Sequence, residues 1–434
     1  MFERPRRNGR SNTKRRSRVL VVGTTPDYVD QLLRAHPDEC LFLTESRLRF
    51  DAKEPQPNDH EEVLYRRDKQ LSAIELLKRH QERFGIKIVG IVCFDCESMP
   101  LASMIARRCG LPYPSSGAVR CCRNKRLMKQ RWSADGTSHP RFSIVRQSEE
   151  AVEFLRQIGG PCVMKPLSGS GSELVYRAET ESDCRVSFET ITAGLHVRRA
   201  APLYRSCKEG RTSILMEEWV KGDEFSCDFL VEKGRARLIR LARKHLRRNG
   251  PSGIIEAYEL SPDLPDACQD ARLTPWLLRA TSSLGIDRAI CMADFIVRDN
   301  QPVFLEVTPR CGGDCLPSLL KTACDFDVLG LAIRFARETV DTAVVRVNEP
   351  TVALRLFADR AGTLELTDTD ALLNDRRVLS VDLTRRLGDQ VQLPPLDYES
   401  WILGHVIYRP EPGRRVSEQN DELRSLLKMR IAEK

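Results

Sequence analysis

The stretch Cys291–Asp314, CMADFIVRDNQPVFLEVTPRCGGD, limits what this chain can fold into more than any other. Ala293–Val297 and Pro302–Val307 are short apolar, β-branched runs, and Arg298-Asp299-Asn300-Gln301 between them has turn composition. The pattern predicts a hairpin. Asp294 and Glu306 would then lie on neighbouring strands, facing each other across the ladder. Such a pair repels itself unless a cation sits between, and it suits one hard divalent ion bridged to phosphate oxygens. The plainer alternative is a hydrogen-bonded Asp294 and a Glu306 on a solvated face. Pro309-Arg310-Cys311-Gly312-Gly313 favours the first reading. It stops the strand with a fixed φ, adds a permanent cation four residues past the acid, and lets backbone approach a ligand closely.

At 434 residues and 41% hydrophobic content, the chain is long enough for two or three domains. Its formal net charge is +8, and the first 18 residues carry +7 of that. Residues 1–17 therefore read as a disordered basic arm on a near-neutral body. The arm could neutralise nucleic-acid phosphates, although a functionally quiet extension explains it as well. No apolar h-region follows its arginines and no run of eighteen apolar residues occurs, so neither a signal peptide nor a membrane span is expected. The expected location is cytoplasmic. Fifteen cysteines are scattered through apolar segments, which points to reduced, mostly buried thiols. Cys93-x-x-Cys96 lacks a second pair at matching spacing and does not make a zinc site.

After the arm, Arg18–Gly23 reads as a buried parallel strand followed by a helix over Asp27–Ala35. Leu71–Phe84 is predicted as a helix, Ile86–Phe94 as a strand and Leu101–Cys109 as a helix. Residues 18–117 thus read as a doubly wound α/β domain that closes at Pro112–Gly117. Asn124–Arg131 is predicted as a basic helix whose cationic face is ordinarily solvated. The strand Pro161–Pro166 carries Lys165 into Ser168-Gly169-Ser170-Gly171-Ser172. A lysine among strand residues is costly to bury without an anion, and the loop offers N–H groups and hydroxyls to phosphate. The lysine precedes the glycines, so this is no Walker A loop, and hairpin tips or linkers look the same. Ile214–Val220 (ILMEEWV) is a strand leading into Lys221-Gly222-Asp223-Glu224 and a further strand, Phe225–Val231. Those acids could bind an adenine amine and a ribose diol, or be solvated turn charges. Arg235–Asn249 concentrates seven Arg or Lys side chains, a density that suits carboxylates or phosphates, although an exposed strand and loop would also explain it.

These features, in this order and at these separations, resemble the ATP-grasp superfamily, and within it the carboxylate-amine ligases that include the L-amino acid (dipeptide) ligases. Ala106-Arg107-Arg108-Cys109-Gly110-Leu111-Pro112 and Pro309–Leu320 carry the subgroup likeness. The resemblance implies an α/β ATP-grasp fold: an N-terminal doubly wound domain, an ATP-grasp domain over 118–342 with ATP between two subdomains, and a small β-rich domain over 343–434. It also implies roles. Lys125 and Lys165 would hold ATP phosphates beside the loop Ser168–Ser172. Glu217 and Val220 would meet the adenine with Glu218 beside them, and Glu224 would take the ribose hydroxyls. Asp294 and Glu306 would bind magnesium or manganese, Arg310 would steady the transferring phosphoryl group, and Lys244 would face the active site. Where the family usually has asparagine, Thr308 follows Glu306 by two, so a second metal would be held more loosely.

The activity so implied couples an amino-acid-like carboxylate to an amine through an acyl phosphate, with a homodimer among the assemblies. A carboxylase of the biotin carboxylase type, or a nucleotide-binding protein without catalysis, are the alternatives. From Val345 on, alternating segments Thr351–Phe357, Val378–Leu383 and Trp401–Tyr408 predict antiparallel strands. Glu418–Ala432, capped by Ser417, predicts a closing helix.

Overall fold

The structure is a computed structural model that describes residues 16–204, 213–247, 253–338, 340 and 345–432. Most of the expected basic arm, residues 1–15, lies outside them. Arg16 and Ser17 already belong to the first strand.

The chain divides into two compact units, 1–113 with 332–339, and 114–331 with 340–434. The first holds a parallel sheet of β1 (Arg16–Val22), β2 (Cys40–Glu45), β3 (Glu62–Tyr65) and β4 (Ile86–Val92), in the order β3-β2-β1-β4. Val19, Leu20, Val21 and Val22 are all buried, as a near-continuous apolar run in a parallel sheet requires. The helices Pro26–Ala35, Gln70–Phe84 and Met99–Cys109 fall within two residues of their expected starts. β2 and β3 escape a periodicity reading because each is short and flanked by charge.

The second unit opens with a four-stranded antiparallel sheet of β5 (Phe142–Val145), β6 (Cys162–Pro166), β7 (Tyr176–Ala178) and β8 (Ile214–Glu218), ordered β5-β8-β6-β7. β9 (Asp223–Glu232), β10 (Arg235–Leu246), β11 (Ile255–Leu260), β12 (Arg288–Arg298) and β13 (Gln301–Thr308) follow. After them come β14 (Thr351–Phe357), β15 (Gly362–Asp368), β16 (Val378–Leu383), β17 (Gln390–Val391), β18 (Ile402–Tyr408) and β19 (Lys428–Ala432). One eight-stranded sheet runs β13-β12-β9-β10-β11-β14-β18-β16.

The sheet crosses the boundary expected at 342/343. β14 pairs with β11, because both strands are apolar enough to be buried inside one sheet, so the C-terminal strands extend the central sheet instead of starting an isolated one. The closing helix is shorter than expected. It spans Val416–Leu426, with Arg415 at the N-cap and Ser417 inside its first turn. Residues Lys428–Ala432 leave it to pair with β15, since Met429 and Ile431 alternate with charge at a period of two.

Beneath β9, β12 and β13, Phe225, Phe229, Phe295, Phe304 and Trp132 are fully buried in one cluster. Each contributes roughly 1.5–3 kcal/mol by leaving water. Trp132 Nε1 donates to Ala280 O at 3.0 Å, which settles its one polar atom. This core holds the predicted hairpin rigid. Its turn is Asp299-Asn300 with φ of 51° and 59°, the two left-handed residues of a tight hairpin connection. Asp294 lies directly opposite Glu306.

Candidate functional site

Lys165 ends β6, and Glu217 lies near the end of β8. The register sets Val163 against Glu217, which puts Lys165 diagonally across from the carboxylate on the same face. Lys165 Nζ lies 2.5 Å from Glu217 Oε2, and Lys129 Nζ lies 2.9 Å from Oε1. Glu217 is 2% exposed. Burial alone would raise its carboxyl, but the ammoniums of Lys129 and Lys165 outweigh that and hold it at about 2. Lys129, fully buried, is brought down to about 8 by burial, which Glu217 only partly offsets.

The basic helix is therefore not a solvated cationic face throughout. It spans Lys125–Asp135, with Asn124 Oδ1 accepting from Leu127 N at 3.2 Å as its cap. Lys125, Lys129 and Trp132 fall on one side at spacings of four and three. That spacing, next to a tryptophan, was the available sign that Lys129 points inward. Its Nζ also donates to Phe304 O at 3.1 Å.

Lys125 Nζ reaches Glu306 Oε2 at 3.3 Å and Gly169 O at 3.3 Å, so the helix start, the glycine-rich loop and β13 meet at one ammonium. Lys244 on β10 is bonded to Glu224 and to Asp294 Oδ2, the latter at 3.0 Å. Burial lowers the Lys244 ammonium, yet Asp294 and Glu224 together raise it above its ordinary range. For Glu306 burial pulls upward, and Lys125, Lys165 and Lys244 bring it below the usual carboxylate range.

These side chains line a cavity of about 290 Å³, together with Gly169, Ser170, Gly171, Ser172, Glu218, Trp219 and Val220. Glu218 is fixed at its rim by Arg141 Nε at 2.8 Å and Arg298 Nη1 at 3.3 Å. Arg177 stacks over Trp219 at 4.6 Å from the ring centre, a contact that sequence spacing does not reveal.

Three expected residues fall outside the lining. Ser168 is buried beneath the loop. Thr308 is buried opposite Met292 at the strand end, on the same side as Glu306. Arg310 turns Nη1 to Cys311 O at 2.8 Å. Two expected nucleotide contacts also have protein partners: Glu217 is engaged by two lysines and Glu224 by Lys244. The basic stretch 235–249 does not form one patch, because β10 alternates its faces. Arg240 pairs with buried Asp228, Lys244 faces the cavity, and Arg243 pairs with Asp223 at 2.7 Å. Residues 248 and 249 lie outside the described residues.

Gly222, between β8 and β9, has a φ of +153°, and a Cβ there would sit 2.2 Å from Val297 O. Gly222→Ala is expected to destabilise the protein by about 1–3 kcal/mol, read as a lower Tm.

The description "ATP-grasp domain" matches residues 158–318, a span that contains Lys165, the glycine-rich loop, Glu217, Asp294 and Glu306. The chain carries an ATP-grasp domain. Its closing strands and the parallel-sheet unit complete an ATP-grasp fold: the L-amino acid ligase from Bacillus licheniformis superposes with a TM-score of 0.73 at 17% identity, covering 97% of this chain and all of that one. Biotin carboxylase from Campylobacter jejuni superposes with a TM-score of 0.63 at 14% identity, covering 96% of this chain and 92% of that one. In sequence, a D-alanine–D-alanine ligase from Acidovorax ebreus is 24% identical over 241 residues, 52% of this chain and 66% of the ligase. The chain spans 52% of the length of another curated relative, an uncharacterized protein from Sinorhizobium fredii that is 25% identical over 265 residues, and 66% of the Acidovorax ligase, so it covers between half and two thirds of each.

No described helix is long and apolar enough to cross a membrane. Every described cysteine is a free thiol, and most are buried.

Proposed function

We propose that this ATP-grasp protein is an ATP-dependent ligase that activates an amino-acid-like carboxylate as an acyl phosphate and couples it to an amine, releasing ADP and phosphate. The observation that carries this reading is the gathering of Lys125, Lys165, Asp294 and Glu306 around one cavity beside a glycine-rich loop. A carboxylate is a poor acyl donor because oxide is a very poor leaving group. Attack by its oxygen on the γ-phosphorus breaks the bond to ADP and turns that oxygen into part of a phosphate leaving group. The amine nitrogen then attacks the carbonyl carbon, the C–N bond forms, phosphate leaves and the nitrogen gives up a proton.

Phosphoryl transfer asks the protein mainly for alignment and for cations over the phosphoryl oxygens. Lys125 and Lys165 supply two, and Arg310 a third once a substrate draws it from Cys311 O. The loop Ser168–Ser172 contributes N–H groups and keeps water from the acyl phosphate. Glu218 and Val220 stand where backbone can meet an adenine edge, and Glu224, anchored by Lys244, where a carboxylate can accept from ribose hydroxyls.

Asp294 Oδ1 is buried and accepts no hydrogen bond among the described residues, which fits a cation bound there. No three His, Cys, Asp or Glu side chains among those residues cluster as a cage. A magnesium or manganese ion would thus be held by Asp294, Glu306 and phosphate oxygens, with Thr308 behind, and would neutralise developing phosphoryl charge.

The likeness to biotin carboxylase keeps a second reading, in which bicarbonate is the acid activated. Release of ADP and phosphate from the purified protein, measured over pairs of amino acids and separately with bicarbonate, tests both. Stimulation by an acid and amine pair, with an amide product by mass spectrometry, is the expected result. Bicarbonate-dependent release would instead select the carboxylase, and ATP binding without release under any pair would reject catalysis.

A further inference from the structure

Outside the cavity, two ion pairs converge on the segment 309–315 that carries Arg310. On β9, Asp228 is fully buried and is gripped by Arg240 of β10, with Nε to Oδ2 at 2.8 Å and Nη2 to Oδ1 at 3.1 Å. Arg240 is 2% exposed and also donates Nη1 to Ser226 O at 2.9 Å, so its fork is filled and rigid. Asp228 Oδ1 in turn accepts the backbone N–H of Gly312 at 2.8 Å. The fit leaves no room for a side chain: a Cβ on Gly312 would lie 2.4 Å from Arg240 Nη2. Two residues further on, Asp314 Oδ2 accepts from Arg355 of β14, at 2.6 Å from Nε and 2.5 Å from Nη2. Arg355 is itself tied to Ile255 O through Nη1 at 3.2 Å.

We propose that Arg240 and Arg355 are positioning residues that hold the 309–315 segment, through Asp228 to Gly312 and through Asp314, so that Arg310 stands where the phosphoryl group is transferred. This rests on the ligase reading for the role of Arg310, and on geometry alone for the anchoring. A segment with Gly312 and Gly313 adjacent has large conformational freedom when untethered. The buried Asp228–Arg240 pair adds little net stability compared with an apolar replacement of like volume, and the pair of Arg355 with the exposed Asp314 adds little more, so fold stability is a weak account of either contact with the loop. Both arginines stand on strands of the same sheet; one acts at the loop's midpoint, Gly312, and the other two residues on, at Asp314. Burial raises the Asp228 carboxyl above its ordinary range, and Arg240 and, more weakly, the Arg310 guanidinium oppose that rise, so the anchored carboxylate and Arg310 share one electrostatic neighbourhood.

The test compares the full chain with Arg355→Met, which keeps volume and drops the fork, and Arg355→Lys, which keeps only the charge. Amide hydrogen exchange is followed over 309–315 and over 165–175, and kcat and the KM for ATP are followed for an active acid and amine pair. Arg355→Met is expected to speed exchange in 309–315 at least tenfold, leave 165–175 unchanged, and lower kcat by about 10–100-fold with the KM for ATP within twofold. Arg355→Lys recovers part of both. Unchanged exchange over 309–315 in a folded Arg355→Met protein overturns the anchoring. A kcat that survives faster exchange overturns the link to Arg310. If the wild type turns over no pair at all, it is the ligase reading that fails, and exchange alone still decides the anchoring. Should Arg355→Met not fold, Asp314→Asn removes the charge at the loop end of the same pair and is read in the same way.

Discussion

Lys165→Met is expected to slow substrate-dependent ADP release by about 10²–10³-fold, the usual cost of losing one preorganised donor over developing charge. Lys165 is the cation with the least freedom to be replaced by a neighbour. It sits at the end of β6, its Nζ is held by Glu217, and it opens directly into the loop Gly169–Ser172. Methionine preserves the length of the stem and its packing, and Glu217 keeps Lys129 as a partner. The loss should therefore appear in turnover far more than in Tm. Initial rates at saturating ATP, with thermal unfolding alongside, check this. A rate within threefold of wild type at unchanged ATP affinity would remove Lys165 from the phosphate-binding set.

The second large effect is on stability. Glu217→Gln leaves Lys129 fully buried beside Phe304 O with no anion, and Lys165 with no strand partner. Breaking a buried ion pair from one side costs about 3–5 kcal/mol, because the surviving charge cannot reach water. Chemical denaturation at pH 7 should read a loss of that size. The pH dependence carries a second signature. The Glu217 carboxyl is depressed from 4.5 to about 2 in the folded chain, so its stabilisation is complete above pH 4.5 and is lost as pH falls towards 2. The amount is on the order of 3 kcal/mol. Lys129 acts with the same sign in a higher pH window. Its folded value of about 8 lies below its ordinary 10.5, so between those values the unfolded chain binds more protons and stability rises with pH. In Glu217→Gln the acid-side loss between pH 4.5 and 2 should shrink, and the Lys129 transition should move further down. An acid limb identical to wild type would mean that Glu217 is not the group whose protonation weakens the fold.

Much of the site could be read along the chain because its residues sit on short, patterned elements. The alternation around Asp294 and Glu306 and the Asp299-Asn300 turn specify a hairpin register, and that register places the two acids opposite each other. The strand carrying Lys165 and the ILMEEW strand are likewise local patterns, and both appear within two residues of where the pattern ends. The misreadings concern residues whose environment is built by distant segments. Lys129 reads as surface on its own helix and becomes interior only because β8 and β13 close over it. Glu217 reads as a ligand contact from its own strand alone, and the two lysines beside its carboxylate come from other elements. Lys428–Ala432 read as helix continuation until β15 offers an edge on which Met429 and Ile431 can alternate.

What the sequence determined by itself is the inventory of periodic segments, the hairpin that opposes two carboxylates, and the order of lysines, glycines and acids along the chain. Only the tertiary structure decided which charges answer which: Lys125 to Glu306, Lys244 to Asp294, Lys129 and Lys165 to Glu217, Arg355 to Asp314. Periodicity is a property of neighbours within a few residues. The partner of a buried charge is selected by the cost of leaving it unpaired in a place that segments far apart in sequence enclose together.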